Sequence, residues 1–291
     1  VNEGTIALAD GRRIGYAKYG VADGIPLLEF HGVPGSRHYQ LDDDALVAAG
    51  VSLVTLERPG FGWSDRAPGR SLLDWPRDVE AVADSLGFER FGVVGVSMGG
   101  PSAVACGYVL PDRVAVVGLV CAVGPLFDNP QFDPLLPPEM QLLLPVGRDD
   151  REVALALVRD FYAPTADAVA ADVGAYFDGE FLAGWHESDR PNFVARRAQW
   201  LASLEATWGE GVETMADEIG ASFGPWGFDL AEVRVPVRAW HGALDPIPTA
   251  AVRFVVDSVP DGELVEYPDE AHALSTTHHQ DWLTALTAWA R

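Results

Sequence analysis

The stretch Phe91-Gly92-Val93-Val94-Gly95-Val96-Ser97-Met98-Gly99-Gly100 decides how this chain folds. Its first half is an apolar run of strand character; its second half sets a serine between glycines where that strand must end. Glycine weakens strands and helices alike, so the pattern points to a turn that only small residues permit. A sharp turn from strand into helix holds the serine in a strained conformation with its hydroxyl exposed. Gly95 and Gly99 let strand, turn and helix approach without a Cβ clash. The hydroxyl of Ser97 then sits at a helix N-terminus, where free N–H groups favour a developing anion, and Met98 supplies the nearest one. A second stretch, His31-Gly32-Val33-Pro34-Gly35-Ser36, follows another apolar run, Pro26-Leu27-Leu28-Glu29-Phe30.

Outward from these stretches, strands and helices alternate. Residues 5–20 read as two strands joined at the turn signal Asp10-Gly11. Strands are expected at 27–30, 51–56, 91–96 and 114–120, with helices at 41–49, 72–86 and 102–109 between them. Strands apolar throughout and alternating with helices imply an α/β fold, a mostly parallel central sheet covered on both faces. After Gly124 the texture changes. Residues 125–145 contain six prolines and cannot form one regular helix, and residues 151–208 read as broken helix interrupted at Pro164 and Pro191. Strand and helix texture returns at 235–240, 249–259, 263–267 and 281–290. The expected organisation is a core of residues 1–124 and 229–291 split by a mainly helical insertion at 125–228.

Composition narrows the function classes. The 291 residues carry a formal charge of −23, from 43 acidic against 20 basic residues. Such a surface repels nucleic acid and anionic membranes, so neither is expected as a partner. No apolar run reaches the length of a membrane span, and the first residues show neither a basic nor an apolar leader segment. Cys106 and Cys121 fall in segments that read as buried, as small core residues of a reducing compartment, and a cytoplasmic location is expected. Two cysteines fifteen apart make no zinc framework, and the lone lysine, Lys18, lies outside any glycine-rich loop. No metal and no cofactor are expected. The sequence carries no signature of a particular oligomeric state.

A serine hydroxyl needs a base, itself oriented by an acid. His272 lies in the loop after the last expected strand, and Asp245 follows the preceding one in His241-Gly242-Ala243-Leu244-Asp245-Pro246. In a parallel sheet both loops open at the same edge as the Ser97 turn. Asp269 and Glu270 are competing acids, but they lie so near His272 in sequence that reaching its far ring nitrogen would need an awkward loop. His278 and His279 open a helix and fit the surface better. Glu29 is an acid inside a strand expected to be buried; Arg58 or Arg37 is its expected partner.

These residues resemble the α/β-hydrolase fold superfamily, in its capped serine-hydrolase branch, over nearly the whole chain. Ser97 matches the family's nucleophile, Asp245 its acid and His272 its base. The stretch from His31 to Gly35 is similar to the H-G-x-P-G oxyanion loop, which implies Val33 N–H as the second donor beside Met98 N–H, with His31 as a buttress. Arg58-Pro59-Gly60-Phe61-Gly62-Trp63-Ser64-Asp65 resembles the R-P-G-F/Y-G-x-S segment, with Glu57 where the family often has Asp. His31, Trp63 and Trp185 are expected near a substrate pocket between cap and core. The resemblance implies a small-molecule substrate: an ester, thioester or lactone with an apolar part. It also admits a prolyl-aminopeptidase-like peptidase, with Glu180, Glu187 or Glu205 binding an amine, and a C–C bond hydrolase or lyase on the same triad. A ligand-binding protein without turnover would have lost a triad member, and none is lost here. A haloalkane dehalogenase would need Asp where Ser97 stands.

Overall fold

The computed structural model describes residues 2–38, 43–136, 138–222 and 224–290. Its strands are β1 (Asn2–Ala7), β2 (Arg13–Gly20), β3 (Ile25–Phe30), β4 (Val51–Leu56), β5 (Phe91–Val96), β6 (Val114–Val120), β7 (Val237–Gly242) and β8 (Gly262–Tyr267). They form one sheet in the order β1-β2-β4-β3-β5-β6-β7-β8. Pairings β1–β2 and β2–β4 are antiparallel, and from β4 onward every pairing is parallel. The strands β4 and β6 are buried along their whole length, as expected where helices cover both faces.

One face is covered by α2 (Trp75–Ser85), α3 (Gly100–Val109) and α9 (Thr249–Ser258), which bring Val79, Val104 and Val255 against Leu28, Val93 and Val117. The other is covered by α1 (Asp43–Ala49) and α11 (His279–Thr287), whose Leu46, Trp282 and Leu286 meet Leu27, Leu53 and Val94. The first two residues of the helix expected at 41–49 lie outside the described residues. A single turn of helix, α10 (Leu274–Thr277), precedes α11.

Between β6 and β7 the described residues hold no strand. They form α4 (Pro138–Asp149), α5 (Arg151–Tyr176), α6 (Arg190–Ala195), α7 (Arg197–Trp208) and α8 (Glu213–Ser222). Proline positions here mislead. Neither Pro145 nor Pro164 ends its helix: Pro164 sits on the exposed side of α5, away from the packed face. The interruption comes instead at Asp172 (φ −161, ψ 95), whose Oδ1 accepts from Ala175 N–H at 2.9 Å and so recaps the turns beyond. Pro191 stands in the first turn of α6, where a missing N–H costs nothing. The aromatic residues of this segment, Phe177, Phe181, Phe193, Trp200 and Trp208, pack into one cluster against which Val33, Met98 and Ala273 close. The helical segment therefore rests on the sheet edge that carries the Ser97 turn.

Two glycines set that edge. A Cβ on Gly99 would lie 2.0 Å from the carbonyl oxygen of Phe30, and one on Gly32 would lie 2.9 Å from Ser97 Cβ. Both approaches are closer than any side chain allows, so β3 and the Ser97 turn meet only through glycine. Gly99→Ala is expected to lower unfolding free energy by about 3 kcal/mol, because backbone must move to admit the methyl group. Gly179→Ala, whose added carbon meets nothing within 4 Å, should stay within about 0.5 kcal/mol. Urea unfolding of both variants checks the contrast.

Candidate active site

Parallel neighbours deliver their C-terminal loops to a common edge, and β5, β7 and β8 supply Ser97, Asp245 and His272 in this way. Ser97 has φ of 54°, in the left-handed region that a serine enters only when its surroundings impose it. Gly100 then opens α3 directly behind it.

His272 Nδ1 donates to Asp245 Oδ2 at 2.8 Å, which fixes the ring tautomer and leaves the Nε2 lone pair to accept a proton. The other carboxylate oxygen, Asp245 Oδ1, accepts from Ile247 N–H at 2.8 Å. Burial works against a charged His272, but the Asp245 charge and hydrogen bond, with Asp189 behind them, outweigh it and raise its pKa. Burial likewise opposes an ionised Asp245, and the same pairing holds its pKa below the usual range. Trp185 stacks on the His272 ring at 4.8 Å between centroids and 29° between planes. Ser97 Oγ makes no hydrogen bond to His272 among the described residues; the two side chains face each other across shared cavity walls.

Two cavities meet at these residues. The smaller, about 70 Å³, is lined by Ser97, His272, His31, Trp185, Trp200 and Glu29. The larger, about 200 Å³, runs from Ser97, Val33 and Met98 past Leu126, Met140 and Ile247 and is almost wholly apolar. His31 is buried, and burial lowers its pKa to about 3, so its ring is neutral. Its Nδ1–H donates to Gly32 O at 2.8 Å, while its Nε2 accepts from Arg58 N–H at 3.2 Å. The Arg58 guanidinium donates to the carbonyls of Gly32 (3.2 Å) and Met98 (3.4 Å) and pairs with Glu218 on α8.

Other positions depart from the sequence reading. Trp63, expected near the pocket, lies outside both cavities and is 45% exposed. The buried Glu57 accepts Trp63 N–H at 2.7 Å, and the ring turns outward beneath the Arg37 guanidinium, 3.5 Å from its centroid. Glu29 pairs with neither expected arginine: Arg37 serves Glu57 and Glu3, and Arg58 serves Glu218. Glu180, Glu187 and Glu205 are all exposed and line neither cavity, so no acidic pocket for an amine forms from them. Glu270 pairs with His278 rather than with His272.

Two neighbours went unread in the sequence. Asp189, buried at the start of α6, accepts His272 N–H at 3.1 Å and Ala273 N–H at 2.8 Å, tying the histidine loop to the helical segment. Cys121 (φ 49°) brings its thiol beside Asp245, and Cys121, Asp245 and His272 are the one His/Cys/Asp/Glu group among the described residues whose donor atoms converge, all within 4.8 Å.

Replacing Asp245 by Asn removes the charge that raises His272 and leaves burial, which lowers it. The His272 pKa, followed by NMR of its ring protons, is therefore expected above the ordinary histidine value in the wild type and below it in Asp245→Asn. An unchanged titration would break the assignment of Asp245 as its partner.

Comparison with known proteins agrees with this architecture. A family model described as the alpha/beta hydrolase fold matches residues 25–278. A non-heme chloroperoxidase of Streptomyces lividans is 28% identical over 291 aligned positions, covering 94% of this chain and 95% of that one. A 2-hydroxy-6-oxononadienedioate/2-hydroxy-6-oxononatrienedioate hydrolase of Paraburkholderia phymatum is 36% identical over 121 residues, 40% of this chain and 41% of that one. Among curated relatives, two such partial matches span only 39% and 41% of the relatives' lengths. The crystal structure of a bromoperoxidase from Bacillus anthracis superposes with a TM-score of 0.72 at 22% identity, covering 99% of each chain. By sheet order, by strand-end geometry and by a family match across most of its length, the chain belongs to the α/β-hydrolase fold family.

Proposed function

We propose that this protein is a serine hydrolase that cleaves a carboxylic ester, thioester or lactone with an apolar moiety through an acyl-enzyme on Ser97. The observation that carries the reading is the Asp245–His272 hydrogen bond of 2.8 Å, aimed into cavities that Ser97 shares. His272 Nε2 takes the Ser97 proton as Oγ attacks the carbonyl carbon, and Asp245 stabilises the imidazolium that results. The N–H groups of Val33 and Met98 receive the oxyanion, each worth about 3–4 kcal/mol to the transition state. His272 then returns its proton to the leaving group, and a water that it deprotonates cleaves the acyl-enzyme.

The helical segment acts as a cap in this reading. Trp185 roofs the histidine, and the cavity along Leu126, Met140 and Ile247 holds the apolar part of the substrate. A second reading, C–C bond hydrolysis on the same triad, is favoured by the partial likeness to the 2-hydroxy-6-oxononadienedioate hydrolase. Both cysteines are free and buried, which suits a reducing compartment, and the cytoplasm is the proposed location. Among the described residues, no helix is long and apolar enough to cross a membrane.

A fluorophosphonate probe should label the wild type and leave Ser97→Ala unlabelled. In a turnover screen of acyl esters, lactones and vinylogous diketones, Ser97→Ala should lose about 10⁴-fold or more. Equal labelling of both proteins would sink the proposal. Asp189→Asn should lower kcat more than it raises KM, since the loop that carries His272 loses an anchor while the apolar wall is untouched.

A further inference from the structure

Glu29 is a carboxylic acid at the wall of a site whose proposed chemistry does not use it. It lies on β3 two residues before His31, is 3% exposed, and lines the smaller cavity together with Ser97 and His272. Its Oε2 has no hydrogen-bond partner, and neither has Nε1 of Trp200 on another wall of the same cavity. A buried carboxylate without a cation costs several kcal/mol, whereas a neutral carboxyl group costs much less and carries an O–H to donate. The Glu29 carboxyl group belongs to the wall of a cavity that Ser97 and His272 also line, so a ligand seated in that cavity is the partner within its reach.

We infer that Glu29 is a specificity residue of the pocket, a hydrogen-bond donor selecting acyl groups that carry an oxygen acceptor, an oxo group, along the chain. The inference rests on the acyl-transfer reading and names the kind of acyl group it takes. The groups around Glu29 fit a neutral carboxyl. Thr55 on β4 stands beside it with its hydroxyl acting on the carboxyl group, and Arg58, the cation that also acts on it, is committed to Glu218. From the loop after β3, His31 is held neutral by burial and burial also lowers His38; from the loop after β8, His272 is drawn to Asp245. Burial raises the Glu29 pKa to about 8, with Thr55 and Arg58 opposing it only in part. The carboxyl therefore donates at neutral pH and loses its proton as pH rises through about 8.

The test compares nitrophenyl esters that carry an oxo group at successive chain positions with their methyl-branched isosteres. The ratio of kcat/KM within a pair cancels the titration of His272. At neutral pH the wild type should prefer one oxo ester over its isostere by about tenfold, and Glu29→Leu should abolish that preference. In the wild type the preference should fall as pH rises through about 8. Glu29→Gln keeps a donor and cannot ionise, so its preference should persist to high pH. Calorimetry of the corresponding oxo acids on Ser97→Ala reads binding without turnover and separates this inference from the proposed acyl-enzyme. There, too, Glu29→Leu should weaken the oxo acid about tenfold against its isostere. No oxo preference in the wild type, an equal preference in Glu29→Leu, or the same fall with pH in Glu29→Gln would overturn it.

Discussion

The Gly32–Val33 peptide unit is the constraint on which the site depends. Its carbonyl accepts two donors at once, His31 Nδ1–H at 2.8 Å and the Arg58 guanidinium at 3.2 Å. A peptide is planar, so fixing the carbonyl fixes the N–H on its other side, which is that of Val33. Donors on the carbonyl also polarise the unit and strengthen what its N–H can offer. His31 can serve here only as a neutral ring, because its other nitrogen must accept from Arg58 N–H. Burial, which pushes the His31 pKa down to about 3, guarantees that state. The histidine of the H-G stretch is thus a positioning residue.

Arg58 extends the same constraint outward. One side chain joins the loop after β3, the Met98 carbonyl beside the Ser97 turn, and Glu218 on α8. Glu218 is wholly buried, and Arg58 and Arg70 together outweigh the burial that would otherwise raise it, so it stays ionised. Breaking such a buried pair from one side leaves the other charge stranded, at about 3–5 kcal/mol. A lysine could not replace the guanidinium, because three acceptors on three segments need its planar fork. From the opposite side Asp189 performs the matching task, receiving two N–H groups of the histidine loop. The helical segment therefore does more than roof the pocket. Its acids hold both the loop after β3, through Arg58, and the loop that carries His272.

How much of this was legible follows from what each residue's role depends on. The strands from β3 to β8, the Ser97 turn and the Asp245–His272 pair were readable because apolar periodicity, glycine and strand-end position are local features. The breaks within the helical segment were not, because they depend on tertiary packing: Pro164 is tolerated on an exposed face, while Asp172 interrupts the helix with no such warning. Asp189 before Arg190-Pro191 carries a helix-start signal, yet its carboxylate makes no cap bond and turns to the His272 loop instead. Trp63 shared a motif with Arg58 but not its direction, since Glu57 claims its N–H and Arg37 its ring. Glu29 lacks the expected arginine for a related reason. Both candidate arginines were near in sequence pattern, but other carboxylates had already claimed them.

Charge placement bears on how so acidic a protein would host the proposed acyl transfer, which builds negative charge. The formal charge of −23 creates a repulsive field for anions at the surface. Beside the loop after β3 the charges are arranged differently: Arg58 and Arg70 share the single carboxylate of Glu218, His31 is neutral, and Glu29 holds its proton until about pH 8, while the buried carboxylates of Asp245 and Asp189 stand on the His272 side. The Arg58 charge is held on the carbonyl side of the Gly32–Val33 peptide, away from Asp245 and Asp189. In a buried site a charge so placed acts with less screening than at the surface. In the proposed reaction it would add to the N–H dipoles of Val33 and Met98 and require no rearrangement as charge develops. Surface and site therefore obey separate electrostatics, and the sign of the net charge says nothing about which transition state the interior favours.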